Sequence, residues 1–266
     1  MKWLREHPVC TSLMFVMAYL KALAPVTRML IMTPLTSAQL TFACDLIMTV
    51  LCIWYLRKQD GLDLRLVQQC DWRILAFAGL CFAGTFLFGN IAGTVIYEST
   101  NDAAYANYSS NIAVDQTFTA ILAVTIAPLC EELLMRGVGF GMVRTKHSAI
   151  FAAIYSSVMF AFLHGTMTHL PLTMCLGVLS CALYTWTGSL IPSILCHATL
   201  NACTQWVLPH MHVPVWLVTP GWAFFGTLIV FMAGLVLVAW HQWCDNDGVD
   251  AVVSIDEKED LRERLE

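Results

Sequence analysis

Six polar side chains in apolar surroundings are the candidates for chemistry in this sequence. They are Glu131, Glu132, Arg136, His164, His197 and Asn201. Ionisable groups at membrane depth are costly, and they usually face the protein interior and mark a functional site. Carboxylates and imidazoles can exchange protons, and an amide offers both a hydrogen-bond donor and an acceptor. These residue types therefore predict a site for proton-transfer chemistry.

The helical spacing predicts that the adjacent carboxylates Glu131 and Glu132 behave differently. Glu132 and Arg136 are four residues apart, so they share a helix face and can form an ion pair. Glu131 points about 100° away around the helix and cannot share this partner equally. We expect Glu132 to stay ionised and Glu131 to be free to exchange a proton, as a general base must. The same residues also fit a purely structural salt-bridge cluster at a helix end.

Two histidines lie within apolar runs, and each has a companion on the same helix face. His164 follows Phe160 by four residues, and Asn201 follows His197 by four residues. A single histidine in a membrane is more often a packing residue than a catalyst, but these ordered pairs indicate a site. The other six histidines are interpreted as interfacial: His7, His147, His169, His210, His212 and His241.

Three further ionisable residues lie near the first predicted outer turn. Arg28 and Asp45 are each about eight to ten residues from that turn, so they would reach a similar depth on adjacent helices. We predict that they form a structural ion pair. Lys21 either joins this group or extends its ammonium group towards the membrane surface.

Composition identifies the chain as a membrane protein. Apolar residues make up 58% of it and charged residues 12%, whereas soluble domains have about 45–50% and about 25%. No Asp, Glu, Lys or Arg occurs in the 98 residues from His147 to Cys244, and a spanning helix needs about 20 apolar residues. This predicts an all-α, polytopic membrane helix bundle. It excludes a disordered chain, a disulfide-stapled secreted domain and a nucleic-acid-binding protein.

Hydropathy predicts about eight transmembrane helices. Their approximate ranges are 9–33, 38–56, 74–96, 114–142, 148–166, 170–186, 189–208 and 217–240. An even number places both termini on one side of the membrane. Lys and Arg are absent from the connectors on the other side, so the positive-inside rule predicts cytoplasmic termini and an outward-facing connector at 97–113. Residues 1–244 would form the transmembrane domain, and residues 245–266 an acidic cytoplasmic tail.

The eleven cysteines do not indicate a disulfide framework, because most of them lie inside apolar runs. There they are interpreted as small buried hydrophobic residues. Cys130 and Cys196 adjoin the candidate residues, but nothing places either thiol beside a base in the geometry of an activated nucleophile. We assign both to packing.

The order of the three polar stretches resembles the signature of the CPBP intramembrane proteases. This family includes CAAX prenyl endopeptidases and bacterial Abi-type proteins. Its motifs E-E-x-x-x-R, F-x-x-x-H and H-x-x-x-N begin here at Glu131, Phe160 and His197. The resemblance covers about residues 114–205, which we expect to be the catalytic core of the transmembrane domain.

The resemblance implies an endopeptidase whose catalytic cavity lies in the membrane and whose substrate is a membrane-associated peptide or protein. By this analogy, Glu131 with His164 would activate a water molecule. His197 and Asn201 would stabilise the oxyanion, and the Glu132–Arg136 pair would hold the geometry. These residue types suit hydrolysis without a serine or cysteine nucleophile, which needs an activated water and an anion-stabilising site. We expect no cofactor and favour a metal-free reaction.

Three competing hypotheses remain open from the sequence. Glu131 and the two histidines could instead bind zinc, with water in an open fourth position, although no H-E-x-x-H motif is present. The protein could be a non-catalytic immunity or scaffold protein of the same family. It could also be a channel or transporter that uses these residues as a proton relay, although no internal repeat is evident.

Overall fold

A computed structural model describes residues 2–29, 36–58, 72–107 and 116–207, together with Gly226. The regular elements in these residues are helices, so the prediction of an all-α membrane helix bundle is confirmed. In chain order they are α1 (Lys2–Glu6), α2 (Pro8–Met29), α3 (Ser37–Lys58), α4 (Trp72–Thr100), α5 (Gln116–Val124), α6 (Ile126–Glu132), α7 (Leu133–Gly141), α8 (Ala149–Leu163), α9 (Leu170–Thr187), α10 (Ile191–Ala202) and α11 (Cys203–Val207).

Four helical stretches of the described chain are long and apolar enough to cross a membrane. They are Ala38–Lys58, Ala78–Thr100, Thr117–Gly141 and Leu170–Thr187, close to four of the predicted ranges. Shorter apolar helices lie at Pro8–Leu20 and Ala149–Leu163. The predicted eighth helix and the acidic tail lie outside the described residues, so the count of eight and the domain division stay predictions.

The predicted span 114–142 is a single apolar stretch, but its hydrogen-bond pattern changes twice. Helix α5 ends at Val124 and α6 begins at Ile126, which places Pro128 in the first turn of α6. Proline is tolerated there because amide hydrogens in a first turn have no partner within the helix. After Glu132 the backbone continues as a π-helix in α7. Such wider turns occur often at functional sites, and this one directly follows the two glutamates.

Helix α7 and the end of α6 lie at the centre of the bundle. Helices α2, α3 and α8 pack on α7, and α3 also packs along α6. The largest buried cluster surrounds them: Val16, Tyr19, Met48, Cys52, Tyr55, Leu56, Cys130, Leu133, Leu134, Met135, Val138, Met142, Phe160, Leu176, Leu190 and Leu200. The Glu131–Arg136 motif therefore lies in the core, with Cys130 fully buried beside it as predicted for a packing residue.

Two glycines allow neighbouring helices to approach closely enough to enclose this centre. A Cβ atom at Gly177 of α9 would lie 2.7 Å from the Cβ of Ser157 in α8. A Cβ atom at Gly137 of α7 would lie 2.6 Å from a methyl group of Leu56 in α3. A larger residue at Gly177 would push α8 and α9 apart, whereas one at Gly137 would displace the Leu56 side chain. Helix α9 packs on α4, α8 and α10, and so connects these three helices.

Candidate active site

Glu132 is the buried centre of the site. It ends α6, and its Oε2 lies 3.2 Å from Nε of Arg136, with both side chains fully buried. The predicted i, i+4 ion pair is therefore present. Ser180 of α9 donates a hydrogen bond to Oε1 of Glu132 at 3.4 Å. The carboxylate thus connects its own helix to α7 and α9.

Arg136 is held by two further contacts. Its Nη2 donates to the carbonyl oxygen of Leu176 at 3.4 Å, and its guanidinium carbon lies 4.6 Å from the ring centroid of Phe160. A cation over an aromatic face is stabilised further where water is excluded. The contacts with a carboxylate, a carbonyl and an aromatic ring therefore offset the free-energy cost of burying the guanidinium group.

His197 of α10 contacts both glutamates. Its Nδ1 lies 2.9 Å from Oε1 of Glu132, and its Nε2 lies 3.7 Å from Oε2 of Glu131. The imidazole is itself buried. A carboxylate at Nδ1 fixes the orientation and tautomer of a histidine and leaves Nε2 to act on another group. The sequence did not predict this bridge, because the partners lie 65 residues apart.

Glu131 differs from Glu132 in its surroundings. Its side chain is 20% exposed, whereas that of Glu132 is fully buried. The ion pair with Arg136 involves Glu132, as the helical spacing predicted. Glu131 is thus the more accessible carboxylate and borders the imidazole Nε2.

His164 occupies a position next to this group without joining it. Its Nδ1 lies 3.0 Å from the carbonyl oxygen of Phe160, and its ring packs edge-on against the Phe160 ring at 4.8 Å. The same phenylalanine contacts the ring of His197 at 5.6 Å. Within the described part of the chain, no hydrogen bond or ion pair joins His164 to Glu131.

Asn201 links α10 to α5. Its Nδ2 donates a hydrogen bond to the carbonyl oxygen of Ala123 at 2.8 Å. Helix α5 ends one residue later, at Val124, so the amide ties the helix that carries His197 to the break before α6. The structure therefore gives Asn201 a structural contact that the sequence did not indicate.

The turn after His164 is anchored by a residue that sequence reasoning did not single out as part of the site. Gly165 adopts a φ of 65°, a left-handed conformation that favours glycine. Three residues on, Thr168 donates its backbone N–H and its hydroxyl to Oδ2 of Asp102, both at 3.0 Å. The Thr168 backbone N–H holds the pKa of the Asp102 carboxyl below its usual range. The connector after α4 is thereby fastened to the turn that carries His164.

The sequence predicts an ion pair between Arg28 and Asp45. The structure describes the side chain of Asp45 but not those of Arg28 and Lys21, so this ion pair stays a prediction. Asp45 is buried and accepts a hydrogen bond from the hydroxyl of Tyr19 at 2.7 Å. A single tyrosine in an apolar helix gave no signal for this contact in the sequence.

A zinc site would require Glu131 and the two histidines to converge on one point. Among the residues that the structure describes, no group of three or more histidine, cysteine, aspartate or glutamate side chains is placed to hold a metal ion. Both ring nitrogens of His197 face carboxylates, and His164 turns one ring nitrogen to a backbone carbonyl. The described side chains thus show no assembled zinc site, and the zinc hypothesis stays open to metal analysis.

The stretch that carries the six candidate residues matches one family model and is similar in sequence to a curated relative. Residues 113–203 match the family model described as Type II CAAX prenyl endopeptidase Rce1-like. A curated relative from Bacillus subtilis (strain 168), named "Putative membrane peptidase YdiL", is 27% identical over 151 residues. That alignment covers 54% of this chain and 57% of the relative, so the chain spans little more than half of the relative's length. No solved structure matches the chain.

Proposed function

We propose that this chain is a CPBP-type intramembrane endopeptidase, which hydrolyses a peptide bond with a water activated by Glu131; the match of residues 113–203 to the Rce1-like family model supports this proposal. The observation that carries the proposal is the position of His197 between the two glutamates. A carboxylate and a pre-oriented imidazole at one point are the groups that water activation requires. Their location in the core of a membrane helix bundle makes a membrane-associated peptide or protein the fitting substrate.

The proposed reaction starts in the space between Glu131 and His197. A water molecule about 2.8 Å from Oε2 of Glu131 would also reach Nε2 of His197, since these atoms are 3.7 Å apart. Glu131 takes one proton as the water oxygen forms a bond to the scissile carbonyl carbon. That proton passes to the nitrogen of the leaving group as the carbon–nitrogen bond breaks. The products are a carboxylic acid and an amine.

The two histidines divide the remaining tasks. The family resemblance assigns water activation to Glu131 together with His164, whereas the imidazole within 4 Å of Glu131 belongs to His197. We propose that His197 shares in water activation, with Glu132 and Arg136 holding it in place. His164 keeps Nε2 for the substrate, because Nδ1 contacts the Phe160 carbonyl. It would donate a hydrogen bond to the oxyanion.

Asn201→Ala tests the proposed oxyanion role of the asparagine. Removing one donor to an oxyanion typically lowers turnover by about 10²–10³, and we expect this loss in kcat with little change in KM. Losing the bond to Ala123 should cost only about 1 kcal/mol of stability, so the midpoint of thermal unfolding should fall slightly. Steady-state kinetics and thermal unfolding of the purified variant measure both quantities. A raised KM with unchanged kcat would make Asn201 a substrate-binding residue instead.

Metal analysis tests the zinc hypothesis directly. We expect purified protein that cleaves peptides to contain no stoichiometric zinc by elemental analysis, and a chelator to leave its activity unchanged. One tightly held zinc per chain, lost in parallel with activity, would instead make Glu131 and the histidines ligands. The matched control is a Glu131→Gln preparation, whose metal content should equal that of the wild type.

Reconstituted protein separates the proposed protease from a proton channel or transporter and from a non-catalytic scaffold. Vesicles containing the full chain are incubated with a farnesylated C-a-a-X peptide and with the same peptide lacking the farnesyl group. Products are identified by mass spectrometry, and a dye inside the vesicles reports proton flux. Cleavage of either peptide that is lost in Glu131→Gln supports the protease, and the ratio of the two rates shows whether a prenyl group is recognised. Proton flux without cleavage would support the relay.

The orientation of the protein is proposed from its charges. Of the fourteen Lys and Arg residues, eleven fall on the side of the predicted termini and three within predicted spans, which favours cytoplasmic termini. We expect a cysteine introduced at position 110 in a cysteine-depleted variant, Ser110→Cys, to react with an impermeant thiol reagent only from outside the cell. Labelling only from the cytoplasmic side would reverse the orientation.

A further inference from the structure

One buried face of α3 carries polar side chains through the core. Asp45, Thr49, Cys52 and Tyr55 are spaced by four, three and three residues, so they lie on the same side of the helix. Each is at most 4% exposed. We call these four residues the α3 polar face.

Three buried polar atoms of the α3 polar face make no hydrogen bond of good geometry among the described residues. They are Oδ2 of Asp45, Oγ1 of Thr49, whose side chain lies beside Cys130, and Oη of Tyr55, which lies beside Thr11. Roughly 90% or more of buried polar groups are hydrogen-bonded to protein or to ordered water. Three such atoms along one helix face are positions where bound water would complete the hydrogen bonding.

The two ends of this face lie where a water path would need them. At one end Asp45 interacts electrostatically with Glu131, and the side chain of Thr49 reaches Cys130, the residue before that glutamate. At the other end Tyr55 interacts with Arg5, which is exposed and donates to the carbonyl oxygen of Lys58. The α3 polar face therefore connects the exposed end of α3 with the candidate general base.

The spacing suits single water molecules. An α-helix rises about 1.5 Å per residue, so consecutive members of the α3 polar face are about 4.5–6 Å apart along the axis. One water that makes two hydrogen bonds of about 2.8 Å bridges up to about that distance. A buried water also needs two to four polar partners, and the hydroxyls and the carboxylate supply them.

We propose that the α3 polar face is a water-binding path that supplies the hydrolytic water to Glu131. Its catalytic purpose rests on the proposed function, because hydrolysis consumes one water for each peptide bond. The path itself is a property of α3 and of Tyr19, which donates to the second carboxylate oxygen of Asp45. It lies outside the stretch that matches the family model.

X-ray radiolysis tests for the bound water without a substrate. Hydroxyl radicals formed from ordered water modify the side chains beside it, and mass spectrometry reads the modified sites. Cys52 and Cys81 are equally buried, but Cys81 packs in a separate apolar cluster with Leu179 and Leu183. We expect Cys52 and Tyr55 to be modified several-fold faster than Cys81. Equal rates at the two cysteines would overturn the path, even if the protein cleaves peptides.

Thr49→Val tests whether the path serves the reaction. Valine keeps the shape of threonine and removes the hydroxyl, so modification of Cys52 should fall and kcat should drop about fivefold, as for one lost hydrogen bond. KM should stay unchanged because the substrate does not contact the path. The matched control is Thr85→Val on α4, where an equally buried hydroxyl also lacks a partner among the described residues, and both quantities should match the wild type.

Tyr55→Phe provides a second variant at the outer end of the path. It keeps the ring and removes only the hydroxyl, so it should lower the modification of Cys52 as Thr49→Val does. If both variants keep wild-type labelling and kcat, the α3 polar face does not carry water to the site. Because labelling needs no substrate, reduced labelling in a protein that cleaves neither probe peptide would reject the proposed function and leave the path standing.

Discussion

Replacing Glu131 by glutamine is expected to abolish peptide cleavage while leaving the fold intact. Glutamine keeps the length and shape of glutamate but cannot take a proton from water, and a positioned general base contributes about 10²–10⁴ in rate. Glu131 is partly exposed and lies 3.7 Å from its His197 neighbour, so the substitution leaves no buried charge unpaired. Cleavage of the probe peptides and the thermal unfolding midpoint of the variant measure the two effects.

The matched control is the same substitution one residue later. Glu132→Gln neutralises a fully buried carboxylate that contacts Arg136, His197 and Ser180, so this variant should lose stability as well as activity. The two glutamates are thus expected to separate catalysis from folding. Cleavage by Glu131→Gln at near the wild-type rate would remove Glu131 from the mechanism and return the role of base to a histidine.

The sequence predicts contacts within one helix better than contacts between helices. Helical geometry alone paired Glu132 with Arg136 and turned Glu131 away, because residues four apart on a helix must be neighbours. The contact of His197 with both glutamates depends on how α10 packs against α6, and no periodicity encodes that distance. The family resemblance brought the same residues to one site but matched Glu131 with the other histidine. The proximity of His197 to Glu131 is therefore visible only in three dimensions, and the pairing of Glu131 with His164 in water activation stays a prediction.

The same limit explains the polar contacts that the sequence missed. Asn201 is predicted to stabilise the oxyanion, and the structure adds a contact that the sequence did not indicate, the hydrogen bond from its Nδ2 to the Ala123 carbonyl at the end of α5. Ala123 lies near the end of α5 because Pro128 cannot donate the hydrogen bond that would continue that helix. Helix α6 begins after this break. Asp45 was recognised as an ionisable residue at membrane depth, but its Tyr19 partner became apparent only once α2 and α3 were packed together. A charged residue in an apolar run indicates that another polar group contacts it, but the sequence does not identify that group.

Arg136→Ala is expected to lower stability and activity together. The variant leaves the fully buried Glu132 carboxylate without its cation, and removing one partner of a buried ion pair typically costs about 3–5 kcal/mol. It also removes the contacts with the Leu176 carbonyl and the Phe160 ring. Yield and thermal unfolding midpoint should fall, and activity should fall because Glu132 no longer orients His197. Arg136→Lys should lose less, since it keeps the charge but not the planar guanidinium.

The double variant Arg136→Ala, Glu132→Gln distinguishes a structural role of this pair from a catalytic one. If Arg136 serves mainly to neutralise the buried carboxylate, removing both charges should recover part of the stability lost in Arg136→Ala. Activity should stay low, because glutamine at position 132 cannot supply the negative charge that fixes the imidazole of His197. The midpoints of thermal unfolding of the two single variants and the double variant complete the cycle. An Arg136→Ala protein that is inactive yet as stable as the wild type would show that the guanidinium acts on the substrate or on the reacting groups directly.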